Sequence, residues 1–281
     1  MTPVQKALWY IESRFHDDFS LKDVACASGV SQHYLIRAFG KIIGTSVMKY
    51  VKARRLSEAA KLLVNGAPDI LTVALMVRYK SHEAFTRSFY NHFQILPWKL
   101  RERGTLEGLN IQAALKLDDN SSLLGAPVIS ELDRFTVTGL SRRYDANSKP
   151  TIPALWNELD QYLGRNNGQL GMTSFGVCSN FSSEGGFDYL CGTNSPAAYM
   201  VGMDSQSILI PRGLYATFEH VEHISNIRNS WHKIYNAWLP QSEYKLSNSP
   251  EYEIYSAEFD PITGSGSVAI CIPLEPQSCV I

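Results

Sequence analysis

The chain has 281 residues, 44% of them hydrophobic and 19% charged, long enough for about two domains and too apolar for a disordered chain. Its formal charge of −1 hides a division: residues 1–108 hold 16 Lys and Arg against 9 Asp and Glu, a net +7, while residues 109–281 hold 10 against 18, a net −8. A basic front half suits a polyanion and an acidic rear half does not. The start, MTPVQKALWY, lacks a signal-peptide layout, and the longest apolar run, Ile70–Val77, is too short for a bilayer. The chain therefore reads as a soluble cytoplasmic protein with no membrane partner.

In chain order, Val4, Leu8, Ile11 and Phe15 form the apolar stripe of a first helix. Leu21, Val24 and Ala25 continue as a short helix with Ser20 as N-cap and Asp23 three positions on. Gly29 supplies a left-handed turn, and Ser31 can cap the next helix. In that helix Leu35, Ala38 and Phe39 face inward, leaving His33, Ile36 and Arg37 on the other face, with small Ala27 placed for close helix contact. A long helical pattern over about 46–64 buries Val47, Val51, Leu56, Ala60 and Leu63. Its Arg54 and Arg55 either reach phosphates or lie on a solvated face.

Asn65-Gly66 and Pro68 end that helix, and the earlier layout then repeats. Ile70, Val73, Ala74 and Val77 face inward, Ser81 caps, and Phe85, Ser88 and Phe89 pack inward. His82, Glu83, Thr86 and Arg87 stay exposed, and Pro97 opens a closing helix. Two helix-turn-helix units on one connecting helix read as a binder of double-stranded DNA.

The runs FSLKDVACASGVSQHYLIRAFGKIIG, VKARRLSEAAKLL and ALMVRYKSHEAFTRSFYNHFQILPWKLR resemble the AraC/XylS family of transcription regulators over about a hundred residues. The chain departs from the family pattern at Arg78-Tyr79, where Gly usually precedes the aromatic, and at Ile36 and Glu83, where polar non-acidic readers are usual. The resemblance implies that the helices at 33–37 and 82–87 enter adjacent major-groove faces, about 34 Å apart along the duplex. Arg37 and Arg87 are the first candidates for base or phosphate contact, and His33, Ile36, Arg54, His82, Glu83 and Thr86 are secondary ones. RNA polymerase is the expected protein partner, and a monomer can fill a non-palindromic site.

Residues 109–126, with the polar cluster Asp118–Ser122, read as a linker between a domain over 1–108 and one over 127–281. The rear half reads as strand-helix-strand-strand, twice. The strands lie near 134–144, 174–180, 187–191, 213–221, 252–259 and 268–273. Pro153 opens one helix, with Leu155, Trp156, Leu159, Tyr162 and Leu163, and Trp231, Ile234 and Trp238 stripe the other. The expected fold is therefore an all-α front domain followed by an α+β domain with an antiparallel sheet and a ligand cleft.

Cys26, Cys178, Cys191, Cys271 and Cys279 show no CxxC spacing and read as mostly buried, inert thiols of a reducing compartment. His220 and His223 follow a strand, which turns them to opposite faces, so no metal site or cofactor is expected.

In PEYEIY, Glu253 and Tyr255 share one strand face and Tyr252 and Ile254 the other. A carboxylate among aromatics binds an apolar cation; the same pattern also fits a Glu253 that faces solvent. The runs FEHVEHISNI, WLPQSEYKLSNSPEYEIY and VAICIPLE are similar to the GyrI-like effector-binding domain, so both halves together resemble the Rob-like, right-origin-binding subgroup. That resemblance implies a site for bulky, often cationic effectors built on Glu253 in an aromatic cleft; of the aromatics that crowd the rear half, Tyr189 and Tyr235 among them, Tyr144, Trp156, Phe175, Trp231 and Tyr255 are the candidate walls. A non-enzymatic regulator is the expected class. A GyrI-like hydrolase, or a rear domain that contacts proteins, is the alternative.

Overall fold

The computed structural model describes all residues except 68, 116, 118–123, 146–150, 163–172, 195–203, 261–262 and 277–281, so Pro68, the cluster Asp118–Ser122, Leu163 and Cys279 lie outside the described residues. The chain divides into two compact units, residues 1–35 with 45–119, and residues 36–44 with 120–281.

The first unit is helical, and its ends are set by capping chemistry. Helix α1 (Pro3–Arg14) starts at Thr2, whose side chain accepts from Gln5 N–H while the Gln5 side chain caps Thr2 in return. Helix α2 (Leu21–Ser28) starts at Ser20 with Asp23 closing the same reciprocal box, and it stops at Gly29 in the left-handed region (φ 72°). Helix α3 (Gln32–Ile43), which belongs to the first unit only as far as Leu35, is opened by Ser31, which accepts from Tyr34 N–H at 3.1 Å. The long α4 (Val47–Val64) follows Ser46. Helices α5 (Ile70–Met76) and α6 (His82–Phe93) are capped by Asp69 and Ser81, and α7 (Pro97–Arg103) begins on its proline.

Leu56, Leu63, Val73, Ala74, Val77, Phe85, Phe89 and Leu100 form one buried cluster, so the inward face read for the second helix pair is the one that packs. Ala27 is a correction: it is exposed, and its neighbour Ser28 is buried instead, donating to Val24 O at 2.7 Å. The turn between α5 and α6 runs through Arg78 with φ 67°, a conformation that glycine adopts without steric penalty.

Residues in the stretch read as a linker pack on these helices. Leu109 and Ile111 lie against the cluster, as does Leu106 just before the stretch. Further along, Gln112 N–H donates to Ser57 Oγ at 2.9 Å, and Leu115 N–H donates to Tyr50 Oη at 3.0 Å.

The second unit is built on an antiparallel sheet. Among the described residues its strands are β1 (Val128–Leu132), β2 (Phe135–Tyr144), β3 (Ser174–Ser179), β4 (Phe187–Thr193), β5 (Gln206–Ile210), β6 (Gly213–His220), β7 (Tyr244–Leu246), β8 (Glu251–Tyr255) and β9 (Val268–Pro276). They lie in the order β1-β6-β9-β8-β3-β4-β2-β5, with β7 also paired to β9. Helix α8 (Ile152–Tyr162) follows β2, and α9 (Ile227–Lys233) follows β6, so the doubled strand-helix-strand-strand order is present.

Three strands went unread. β1 and β5 are short and mostly exposed and β7 has three residues, so none carries a clear buried-exposed alternation. Tyr162, read into the apolar face of α8, is exposed. After α9 the chain makes a π-helical turn over Ile234–Trp238, which breaks the simple helical stripe: Trp231, Ile234 and Tyr235 are buried, and Trp238 is only partly so.

Strand alternation gives the sheet two faces. Val137, Phe175, Val177, Tyr215 and Tyr252 pack on one face. Leu140, Tyr144, Cys178, Tyr189 and Cys191 pack on the other, against Leu155 and Leu159 of α8.

Candidate functional sites on helix α6 and strand β8

Helix α6 presents a polar face. His82, Glu83 and Arg87 are exposed and Thr86 is partly so, opposite buried Phe85, Ser88 and Phe89. This is the arrangement that can meet base edges and phosphates.

The corresponding positions on α3 differ from the reading. His33 and Ile36 are partly buried, and Arg37 is a correction: it is 2% exposed. The segment 36–44 belongs to the second unit, and there Arg37 Nη1 donates to Glu251 Oε1 at 3.0 Å and Nη2 to Ser249 O at 3.0 Å.

Arg54 is corrected likewise. Its Nε and Nη2 donate to the Glu12 carboxylate at 2.9 and 2.8 Å, and Nη1 donates to Gln112 O at 2.9 Å. Tyr50 Oη donates to the same carboxylate at 2.6 Å. Burial pulls the Glu12 carboxyl upward, but the hydrogen bonds from Arg54 and Tyr50 and the charge of Arg54 outweigh it and hold the group below its ordinary range. Arg55 is similarly engaged, donating to Phe15 O at 2.7 Å and Asp17 O at 2.6 Å. Both arginines fasten α4 to the end of α1 and its following loop.

On β8, Glu251, Glu253 and Tyr255 point to one face, and all three are buried. Glu253 is the centre of an aromatic cage. Trp231 Nε1 donates to Oε1 at 2.9 Å, while Tyr189 Oη and Tyr255 Oη donate to Oε2 at 3.1 and 2.9 Å. Trp156 closes the cage, donating Nε1–H to Tyr189 Oη at 3.1 Å and packing edge-on against the Tyr255 ring at 4.8 Å. Burial, followed by the Glu253 charge, pushes both phenols well above their ordinary range, so they remain donors.

Of the residues expected to form the site, the fold thus brings together Glu253, Tyr255, Trp156 and Trp231. Tyr144 stands one ring further out, 6.2 Å from Tyr189. Phe175 is a correction. It follows Ser174 and precedes Gly176, the residue paired with Glu253, so its side chain takes the opposite sheet face, where it packs 6.3 Å from Tyr252.

The sequence reading missed Gly176 and Glu251, and it left Tyr189 and Tyr235 among the general aromatic candidates without giving them a place in the site. Glu251 was readable, because the same two-residue period that joins Glu253 to Tyr255 also joins Glu251 to Glu253. The Tyr235 hydroxyl donates to Glu251 Oε1. Lys41 Nζ lies 3.7 Å from Glu251 Oε2 and 3.5 Å from the centre of the Trp231 ring, and the Arg37 guanidinium lies over the Phe181 ring at 4.4 Å. Cys178 faces this cluster 4.0 Å from Lys41 Nζ, with its thiol pushed up to about 12 by burial. Among the described residues no group of three or more His, Cys, Asp or Glu is placed to hold a metal ion. No helix among the described residues is long and apolar enough to cross a membrane.

Comparison with known proteins places both regions. Residues 126–275 match the GyrI-like small molecule binding domain, and residues 24–103 match a helix-turn-helix domain. The chain is 38% identical over 105 residues to the probable transcription factor PqrA of Proteus vulgaris, covering 37% of this chain and 86% of that protein. It is 37% identical over 98 residues to the uncharacterized HTH-type transcriptional regulator YbfP of Bacillus subtilis, covering 35% of this chain and 33% of that one. With the transcriptional regulator Rob of Salmonella typhimurium it shares 32% identity over 116 residues, covering 41% of this chain and 40% of Rob. The matched region thus spans well under half the length of YbfP and of Rob. The chain belongs to the GyrI-like small molecule binding domain family, here carried behind an AraC-type helix-turn-helix domain.

Proposed function

We propose that this protein is a DNA-binding transcription regulator whose GyrI-like domain binds a bulky apolar cation. The observation that carries the effector half is the buried Glu253 carboxylate, enclosed by Trp231, Tyr189, Tyr255 and Trp156. A carboxylate desolvated among π faces attracts an apolar cation and gives little to a neutral or anionic molecule.

The DNA half is supported by the exposed polar face of α6 and by the helix-turn-helix match. Residues 1–108 are the part expected to contact duplex DNA, with 127–281 as the effector part. RNA polymerase is the expected protein partner, a monomer suffices for a non-palindromic site, and the cytoplasm is the expected compartment. A non-enzymatic role fits the cage, whose polar partners of Glu253 are phenols and indole. The nearby Cys178 thiol, raised to about 12, is a poor nucleophile at neutral pH.

The test is a thermal-melting titration of the full chain with tetraphenylphosphonium, with neutral triphenylphosphine oxide in parallel and Glu253→Gln alongside. A rise in Tm with the cation alone, lost in the variant, is the expected result. Equal shifts with both compounds, or none with either, would overturn the cationic-effector reading while leaving the DNA-binding reading to a separate duplex titration.

A further inference from the structure

We propose that Glu251 and the face of Trp231 form a second cation subsite beside Glu253, that Lys41 and Arg37 of the same chain occupy it, and that a cationic effector enters by displacing them. This rests on the effector reading above and adds to it which of the chain's own groups an effector replaces and the rule for replacing them.

The two carboxylates are treated differently by their surroundings. Glu253, 6% exposed, is met by three neutral donors, from Trp231, Tyr189 and Tyr255. Glu251, fully buried, is met by the Tyr235 hydroxyl and by two cations, Arg37 at 3.0 Å and Lys41 at 3.7 Å. The Lys41 ammonium also sits 3.5 Å from the centre of the Trp231 ring, and Trp231 in turn donates to Glu253. One indole therefore offers its face to a cation and its edge to a carboxylate, so Lys41 already makes the contacts that an incoming ammonium or phosphonium would make.

The pairing is incomplete. Among the described residues, Glu251 Oε2 and Arg37 Nε are buried without a hydrogen-bond partner. A ligand competes against contacts that are not saturated, which makes exchange feasible. It also makes exchange selective by charge. A neutral molecule that pushed the two cations aside would strand Glu251 as an uncompensated buried charge, and a cation would not. Lys41, with 19% of its side chain exposed against 2% for Arg37, is the outer of the two and the first to give way.

A consequence follows for α3. Arg37 cannot lie against Glu251 and Phe181 and contact DNA in the same state. If Arg37 does serve DNA, effector and DNA bind the same displaced form, and each raises the affinity for the other.

The experiment uses the full chain with tetraphenylphosphonium. Its affinity is measured by calorimetry for wild type, Lys41→Met and Glu251→Gln, and the acetylation rate of Lys41 is followed by mass spectrometry with and without the cation. Lys41→Met should bind about tenfold more tightly, because the competing occupant no longer taxes the binding-competent state. Glu251→Gln should bind more weakly, and added cation should speed Lys41 acetylation in the wild type. Circular dichroism melts check that each variant is folded. Should Glu251→Gln fail to fold, the Lys41→Met affinity and the wild-type acetylation rate decide alone.

Binding that depends on Glu253, with affinity unchanged in Lys41→Met and Lys41 acetylation unaltered by ligand, would overturn the displacement proposal and leave the effector reading standing. Binding by neither wild type nor Lys41→Met would overturn both.

Discussion

Gly176 lies directly across from Glu253 in the β3–β8 pair, and a Cβ at that position would fall 2.1 Å from Tyr189 Oη and 2.9 Å from Glu253 Oε2. The cage around the carboxylate therefore exists only because the facing residue has no side chain. Gly176→Ala should drive the buried Tyr189 phenol away from Glu253 and overpack the sheet face. A loss of about 1–3 kcal/mol is expected, read as a lower urea midpoint with an unchanged m-value. Affinity for tetraphenylphosphonium should fall with it. An alanine variant as stable as wild type would mean that Tyr189 has somewhere else to go.

How much of this was legible in the sequence depends on whether the signal was local. The caps at Ser20, Ser31 and Ser81 and the inward faces of α5 and α6 follow from short-range chemistry and helical period, and they are where spacing puts them. The Glu253–Tyr255 face follows from strand period in the same way. Contacts between distant parts of the chain left no such mark. Nothing near Arg54 announces Glu12, 42 residues away, and nothing near Arg37 announces Glu251, 214 residues away. Both arginines were read as free because a helix face with a lone cation looks the same whether water or a buried carboxylate awaits it. Phe175 failed for another reason: aromatic composition drew it to the site, while its register beside Gly176 turns it to the other face.

The Arg54–Glu12–Tyr50 cluster predicts an acid-sensitive fold in the helical unit. The Glu12 carboxyl is held below its unfolded value, so its contribution is fully present above the unfolded carboxylate range and disappears as pH falls through the folded value. Glu12→Gln should cost about 2 kcal/mol at pH 7, because Arg54 and Tyr50 lose a charged acceptor. Its stability should also fall less than that of wild type between about pH 5 and pH 3. Urea midpoints measured across that range would decide. Parallel curves would assign the acid sensitivity to other depressed carboxyls, such as Asp23 and Asp69.

Helix α6 ends at Gln94, an exposed residue with φ 57° whose N–H donates to Tyr90 O. A left-handed non-glycine residue carries a steric cost there that glycine avoids, and its side chain makes a 3.2 Å hydrogen bond to Asn91 O. Gln94→Gly should therefore raise stability by about 0.5–1 kcal/mol. Differential scanning calorimetry would register it as a Tm increase of a few degrees. No gain would indicate that the side-chain contact offsets the strain.

The thiols separate by burial. Cys178 and Cys191 are pushed up to about 12 and Cys271 to about 11, each chiefly by burial, whereas Cys26 is exposed on α2. Brief iodoacetamide treatment of the native protein at pH 7.5, followed by peptide mapping, should alkylate Cys26 and spare those three. Rapid modification of Cys178 in the native state would show that the face around Lys41 and Glu251 opens on the timescale of the reaction.

The two arginines first read as equivalent should behave as opposites. Arg87 is exposed on α6, so Arg87→Ala should leave the urea midpoint within experimental error, weaken duplex binding, and lower the slope of log K against log salt by about 0.9 if the residue neutralises a phosphate. Arg37 is buried against Glu251, so Arg37→Ala should destabilise the fold by about 3 kcal/mol through the carboxylate it leaves behind. Lys41 beside the same carboxylate softens that loss, and removing both cations should cost more than either alone. Urea denaturation of Arg87→Ala, Arg37→Ala, Lys41→Met and the Arg37→Ala/Lys41→Met double variant, with fluorescence anisotropy on a labelled duplex across a salt series, separates the cases. An Arg37→Ala protein with wild-type stability would place this guanidinium in solvent and return it to the DNA face. An Arg87→Ala protein with an unchanged salt slope would remove α6 Arg87 from the phosphate contacts.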